Sequence, residues 1–354
     1  MVAIRHRAII AGWLFALVAA VFAMVCIGGI TRLTESGLSM VEWRPLIGMI
    51  PPMSDAEWQR VFSLYRTIPE YHQINAGMSL ADFKLIFWWE YIHRLWGRLI
   101  GVLFLLPFLF FLVRGWLTRR LALRLFGLLL LGGLQGLVGW WMVKSGLAER
   151  TDVSQYRLAA HLVFALIILA LLFYLGLSLL IPPNRRMRVR RSLAGHAWLV
   201  AGAILFTIVS GAFVAGTNAG LIYNTFPLMG GRLVPAEYAH MSPFWLNWFE
   251  NQSAIQFNHR WIAITTFTLI AVLWGRCRQA SLNRTALMAV NLLMGVACLQ
   301  VSLGILTLLT NVPIPLAATH QAVAVLLFLS ALATAFSLRP RWKTQALPVG
   351  ALPA

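Results

Sequence analysis

Residues 8–30 read AIIAGWLFALVAAVFAMVCIGGI, twenty-three positions without an Asp, Glu, Lys or Arg. As a helix this run rises about 35 Å, enough to cross the roughly 30 Å hydrocarbon layer of a bilayer. Arg5 and Arg7 precede it, it exceeds the roughly 7–15 residues of a signal-peptide core, and no A-x-A cleavage site follows, so it reads as a retained first span. The same pattern recurs along all 354 residues, which are 60% hydrophobic and only 11% charged. A soluble domain carries about 25% charged residues, so a soluble enzyme is excluded.

Eight spans are predicted, at about 8–30, 85–113, 121–143, 158–181, 196–216, 256–275, 285–309 and 316–338. The net charge of +18 comes largely from arginine clusters between them: Arg114, Arg119, Arg120 and Arg124; Arg185, Arg186, Arg188, Arg190 and Arg191; Arg276, Arg278 and Arg284. With Arg5, Arg7, Arg339, Arg341 and Lys343 at the ends, the positive-inside rule places both termini and these three loops in the cytoplasm. Membrane topology accounts for the charge, and no nucleic-acid partner is needed. Cys26, Cys277 and Cys298 fall in or beside apolar runs, so no disulfide framework is expected.

The two long loops, about 31–84 and 217–255, then face outward. In the first, Ser54-Asp55-Ala56-Glu57 has capping-box spacing ahead of Trp58, Val61, Phe62 and Tyr65. That predicts a short amphipathic helix on the membrane surface, without chemistry. Gly97-x-x-x-Gly101 and Gly132-x-x-x-Gly136 read as packing motifs, and Trp88, Trp89, Trp140, Trp141, Trp245 and Trp248 as interfacial aromatics.

A weak internal repeat is visible. Gly37-Leu38 answers Gly220-Leu221, His93-Arg94 answers His259-Arg260, Leu134-Gln135 with Gly139 answers Leu299-Gln300 with Gly304, and Ala159-Ala160-His161 answers Ala318-Thr319-His320. Each half holds an even number of spans, so the halves share one orientation. The expected fold is an all-α polytopic membrane protein of eight transmembrane helices in two pseudo-symmetric four-helix bundles, residues 1–190 and 191–354.

Four of the eight histidines, His93, His161, His259 and His320, lie in apolar segments, one on each even-numbered span. From each to the first cytoplasmic arginine is 21, 24, 17 and 19 residues, roughly 25–36 Å. The four imidazoles therefore share one depth toward the outer face. Single intramembrane histidines also serve in packing, but two per repeat at one depth suit axial ligation of haem iron across facing helices. His93 with His161 and His259 with His320 form the two expected pairs. Zinc fits less well, because at that depth each half offers only two histidines, with no cysteine or second carboxylate nearby.

Arg94 and Arg260 directly follow two of these histidines, where haem propionates or the outer headgroups are their expected partners. Glu90 stands three residues before His93 on the same helix face, and Gln256 holds that place before His259. A carboxylate in one half against an amide in the other predicts chemistry in the first half and a passive cofactor in the second. A role for Glu90 in orienting an imidazole or pairing with Arg94 stays open.

The run Glu90-Tyr91-Ile92-His93-Arg94, the second His-Arg at His259-Arg260, the histidines near the outer ends of spans 4 and 8, and Gly28-Gly29-Ile30-Thr31-Arg32-Leu33-Thr34-Glu35-Ser36-Gly37-Leu38-Ser39 together resemble the haem A synthase family. The likeness is to the branch shared by alphaproteobacteria and mitochondria and covers nearly the whole chain. It implies a bacterial inner-membrane oxidoreductase that converts haem O to haem A for cytochrome c oxidase by oxidising the position-8 methyl to a formyl group. By the same likeness His93 and His161 hold the substrate haem, Glu90 assists the oxidation, and His259 and His320 hold a resident haem b. Expected partners are haem O, haem O synthase, oxidase assembly factors, membrane lipid and an unnamed electron-transfer partner, with self-association possible. Some members carry an outer-loop cysteine pair that this chain lacks, so no thiol role carries over.

Two other classes remain open. A bis-His dihaem electron-transfer subunit would use the same ligands without needing the Glu90/Gln256 difference. A transporter with parallel repeats would favour broken helices and polar groups at mid-depth.

Overall fold

The computed structural model describes residues 4–43, 47–147, 151–181 and 191–339. The apolar run that opens the chain forms α1 (Ile4–Leu33), and the first outer loop folds two short helices, α2 (Asp55–Tyr65) and α3 (Pro69–Gln73). Long helices follow: α4 (Leu80–Val113), α5 (Arg119–Lys144), α6 (Gln155–Leu180), α7 (Arg191–Gly216), α8 (Gln252–Arg278), α9 (Arg284–Leu309) and α10 (Ile314–Ser337). Among the described residues there is no β-strand.

Seven helices, α1, α4 to α7, α9 and α10, are long and apolar enough to cross a membrane, so the chain is a multi-pass membrane protein. The 27-residue α8 is the least apolar of the long helices, because Gln252, Gln256, Asn258, His259 and Arg260 crowd its N-terminal end. Leu106, Val113, Leu137 and Leu199 are exposed on the helical exterior. A lipid solvent makes such exposure natural. Arg185, Arg186, Arg188, Arg190, Arg341 and Lys343, which argue for the inside placement of two segments, lie outside the described residues.

Some boundaries move outward from the hydrophobic pattern. The second apolar segment is helical from Leu80, because Ser79 accepts a hydrogen bond from the Asp82 amide at 3.2 Å and nucleates turns beyond the hydrocarbon. Asn251 likewise caps α8, accepting from Ser253 N at 2.9 Å.

Packing follows one order twice. α1 lies against α4 and α6, with α5 completing the set against both; α7 lies against α8 and α10, with α9 completing the set against both. The sets meet through α1 with α10 and α6 with α7, and α10 also reaches α6. Leu14, Leu17, Leu166, Leu169, Ile204 and Val290 belong to a core that runs through both sets.

Ser54 accepts from Glu57 N at 3.2 Å and starts α2, while the Glu57 carboxylate turns to Arg60. The apolar face of α2 does not lie on lipid. Trp58, Phe62 and Tyr65 are buried against Phe83 and Phe87 of α4, with Trp58 and Phe87 rings 4.9 Å apart. The glycine motifs also differ from expectation. A Cβ at Gly101, Gly132 or Gly136 would meet nothing within 4 Å, and only Gly97 has a neighbour, Met24 Cε at 3.3 Å. Close approaches are made by other glycines, four of them against the candidate histidines.

Candidate functional site

Each of the four histidines lies half-buried on a glycine of a neighbouring helix. A Cβ on Gly28 of α1 would stand 3.0 Å from His93 Cε1; on Gly139 of α5, 2.9 Å from His161 Cε1; on Gly211 of α7, 3.2 Å from His259 Cε1; on Gly304 of α9, 2.9 Å from His320 Cε1. Every imidazole thus takes its place because the opposing helix has no side chain there. Gly28 and Gly211 occupy matching places, nine residues before Gly37 and Gly220. Glutamines one turn before the other two glycines line the same rings: Gln135 Nε2 is 3.2 Å from His161 Nδ1, and Gln300 Nε2 is 3.4 Å from His320 Nε2.

The donor set fits haem. All four candidate ligands are imidazoles, two per helix set, each seated in the room a glycine leaves, and the buried Nδ1 of His320 has no partner among the described residues. Among the described residues no cluster of three or more His, Cys, Asp or Glu side chains could hold a metal ion by itself.

The two pairs are held unequally. Ser210 Oγ lies 2.7 Å from His259 Nδ1, which leaves Nε2 of that ring for a ligand. Ile27 holds the matching place before Gly28 and has no hydroxyl to offer His93.

Glu90 is buried, and both of its carboxylate oxygens are engaged. Oε2 accepts from Ser39 Oγ at 2.8 Å and from Met40 N at 2.7 Å; Oε1 accepts from Arg94 Nε at 3.0 Å and also from Arg94 Nη2. Rather than extending to a free anion, Arg94 donates onward to the carbonyls of Met40 at 2.8 Å and Glu42 at 3.1 Å. Arg260 makes the same clamp on the second outer loop, donating to the carbonyls of Tyr223 and Thr225, both at 2.8 Å. Gln256 donates to the Tyr223 carbonyl at 3.2 Å, in the place where Glu90 accepts from the Met40 amide. The loop residues match as closely as the arginines: Met40 and Glu42 stand three and five residues after Gly37, and Tyr223 and Thr225 three and five after Gly220. Both arginines thus hold loop carbonyls, beside the propionate or headgroup pairing expected from the sequence.

Beneath the first loop a cavity of about 400 Å³ is lined by Ser39, Met40, Glu42, Arg60, Arg94 and Arg98, among others. Residues 11–332 match the family profile described as cytochrome oxidase assembly protein. The chain belongs to this family. Three similar proteins carry the name Heme A synthase: one from Rhodospirillum centenum, 52% identical over 94% of this chain and 88% of its own length; one from Nitrosospira multiformis, 48% over 93% of each; and one from Caulobacter sp. (strain K31), 48% over 94% and 96%.

Sequence reasoning missed two residues of this site. Ser210 is a common residue in an apolar run, and only its contact reveals it. Arg98 carried a readable signal: a guanidinium one turn beyond Arg94, inside a spanning helix, where the second half has Ile264.

Proposed function

We propose that this chain is a haem A synthase, oxidising the position-8 methyl of haem O through an alcohol to a hydrated aldehyde that loses water to give the formyl group of haem A, for use by cytochrome c oxidase. The name carried by relatives about half identical over nearly the full chain supports the activity. The observation that carries the assignment of the two sites is their inequality. His259 is fixed by Ser210 at 2.7 Å, as suits a cofactor that stays, whereas His93 has Ile27 in that place and lacks that tether, as suits a substrate that comes and goes. His259 and His320 would hold a resident haem b, which supplies one-electron redox capacity when bound. His93 and His161 would hold the substrate haem.

Glu90 serves the reaction by position. Its four hydrogen bonds fix Arg94 and the Ser39–Met40 turn together at the His93 end of α4, so the loop and the imidazole keep one geometry while the methyl group reacts. The same reading takes α8 as an eighth span and residues 1–190 and 191–354 as two pseudo-symmetric four-helix bundles. The repeated packing order and the matched loop clamps support it. It places the protein in the bacterial inner membrane with cytoplasmic termini, working beside haem O synthase, oxidase assembly factors and an electron-transfer partner.

Extraction of haems from cells expressing the chain with a source of haem O tests the proposal. Haem A should form with the native chain. Glu90→Gln should keep the bound haem and lower haem A formation about 10–100-fold, with haem O or the alcohol accumulating. A chain that yields only haem b beside unchanged haem O would refute the activity.

A further inference from the structure

The outer cap holds a second buried carboxyl. Glu70, on α3, is 3% exposed. Its Oε1 accepts from the Tyr65 hydroxyl at 3.3 Å, and that hydroxyl in turn accepts from Asn75 Nδ2 at 2.7 Å. Its Oε2 is fully buried and has no hydrogen-bond partner among the described residues. An unpartnered carboxylate oxygen in an apolar surrounding is costly, and protonation is the usual relief.

The surroundings favour the protonated acid. Tyr65 and Phe83 beside it are fully buried, in the aromatic cluster that joins the cap to α4. Burial is the largest cause that pushes the Glu70 carboxyl up to about 8; the Tyr65 hydrogen bond opposes it, and the carboxyls of Glu90, Asp152 and Glu35 add to it. Glu90, by contrast, has both oxygens filled by Ser39, Met40 and Arg94, so it has little acceptor capacity left for a travelling proton. In the second outer loop both acids, Glu237 and Glu250, are exposed. A buried acid therefore covers the first half alone, the half that Glu90 and Arg98 also single out.

We propose that Glu70 is the proton-exchange group of the N-terminal half, a carboxylic acid that holds a proton within the outer cap and passes protons between the outer end of α4 and the outer solvent. Its part in turnover rests on the haem A synthase reading, because oxidation of a methyl group releases protons that must leave a closed site. Glu70 does not touch the substrate. It acts on the Glu90 end of the site as an electrostatic neighbour and proton store.

The test uses the full-length chain in detergent micelles, with infrared difference spectra recorded across pH. A protonated-carboxyl C=O band should be present at pH 7, shift in deuterated buffer, fade as pH rises through about 8, and disappear in Glu70→Gln. Glu70→Asp should restore a carboxyl band at a changed frequency. Absence of the band from the native chain, or its survival in Glu70→Gln, would overturn the proposal whatever the haem chemistry. In cells supplied with haem O, Glu70→Gln should lower haem A formation about a hundredfold at unchanged haem content and flatten its pH profile. Equal haem A formation by native chain and Glu70→Gln would overturn the exchange role. Failure of the native chain to make haem A, with the band behaving as stated, would count against the haem A synthase reading and leave the proton-holding acid standing.

Discussion

Alanine at Gly304 or Gly139 should unseat a histidine without harming the helix that carries the change. The new Cβ would lie 2.9 Å from Cε1 of His320 or His161, against an ordinary contact beginning near 3.4 Å, so each ring must retreat by about 0.5 Å. Two effects on stability oppose one another. Alanine in place of glycine inside a helix gains up to ~1 kcal/mol, and forcing a group into a filled space costs about 1–3 kcal/mol, leaving a net loss of roughly 0–2 kcal/mol. The fold should therefore survive. A ligand displaced by about 0.5 Å is at the limit that a functional site tolerates, and disturbances of ligand orientation typically lower metal affinity by about 10–100-fold. The assay is haem content and low-spin absorption of the purified full-length chain, alongside thermal unfolding. Gly132→Ala and Gly136→Ala are the controls, since a Cβ at either place meets nothing within 4 Å. Native haem content and an unchanged low-spin spectrum in both Gly304→Ala and Gly139→Ala would refute the idea that glycine clears the space for each imidazole.

Ser210→Ala should loosen the second-half haem by about tenfold, seen as faster haem loss to an apo-globin acceptor, because His259 loses the partner at 2.7 Å that orients it; identical loss rates would remove Ser210 from the site. The first outer cap should lose stability as pH rises from about 4.5 to about 8 and level off above that. The unfolded Glu70 carboxyl releases its proton at the lower value and the folded one only at the higher, so stability is greatest below the lower value and falls across the window. Limited proteolysis of the first outer loop across that range checks it, and a flat profile in the native chain, or the same slope in Glu70→Gln, would contradict the assignment.

The parts of the protein that follow from local composition were legible in the sequence. Apolar runs gave the long helices, and the four histidines could be matched across the repeat because Gln135-x-x-x-Gly139 and Gln300-x-x-x-Gly304 stand in register with them. What was not legible depends on contacts between segments far apart in the chain. Arg94 and Arg260 read as guanidiniums in need of partners at that depth, but their contacts with carbonyls 52 and 54 residues away for Arg94 and 35 and 37 for Arg260 had no signal in the sequence. The glycine spacing at Gly132 and Gly136 suggested close helices, but only the crossing geometry decides which glycines face a neighbour, and Gly28, Gly139, Gly211 and Gly304 do. Glu70 was hidden for a related reason: it is buried where α3 folds back on Tyr65, and the aromatic cluster that closes around Tyr65 includes Phe83 and Phe87 of α4.

The arginine clamps have a mechanical consequence. Arg94 is the residue after His93 and grips Met40 and Glu42; Arg260 is the residue after His259 and grips Tyr223 and Thr225. A pull on either loop is therefore delivered, through one rigid planar group, to the helical turn that carries an imidazole. Lifting the first loop far enough to admit a macrocycle must break those bonds or drag that turn with it. Entry at the rim and the seating of His93 are thus two ends of one lever, and the second loop has a lever of the same construction acting on His259.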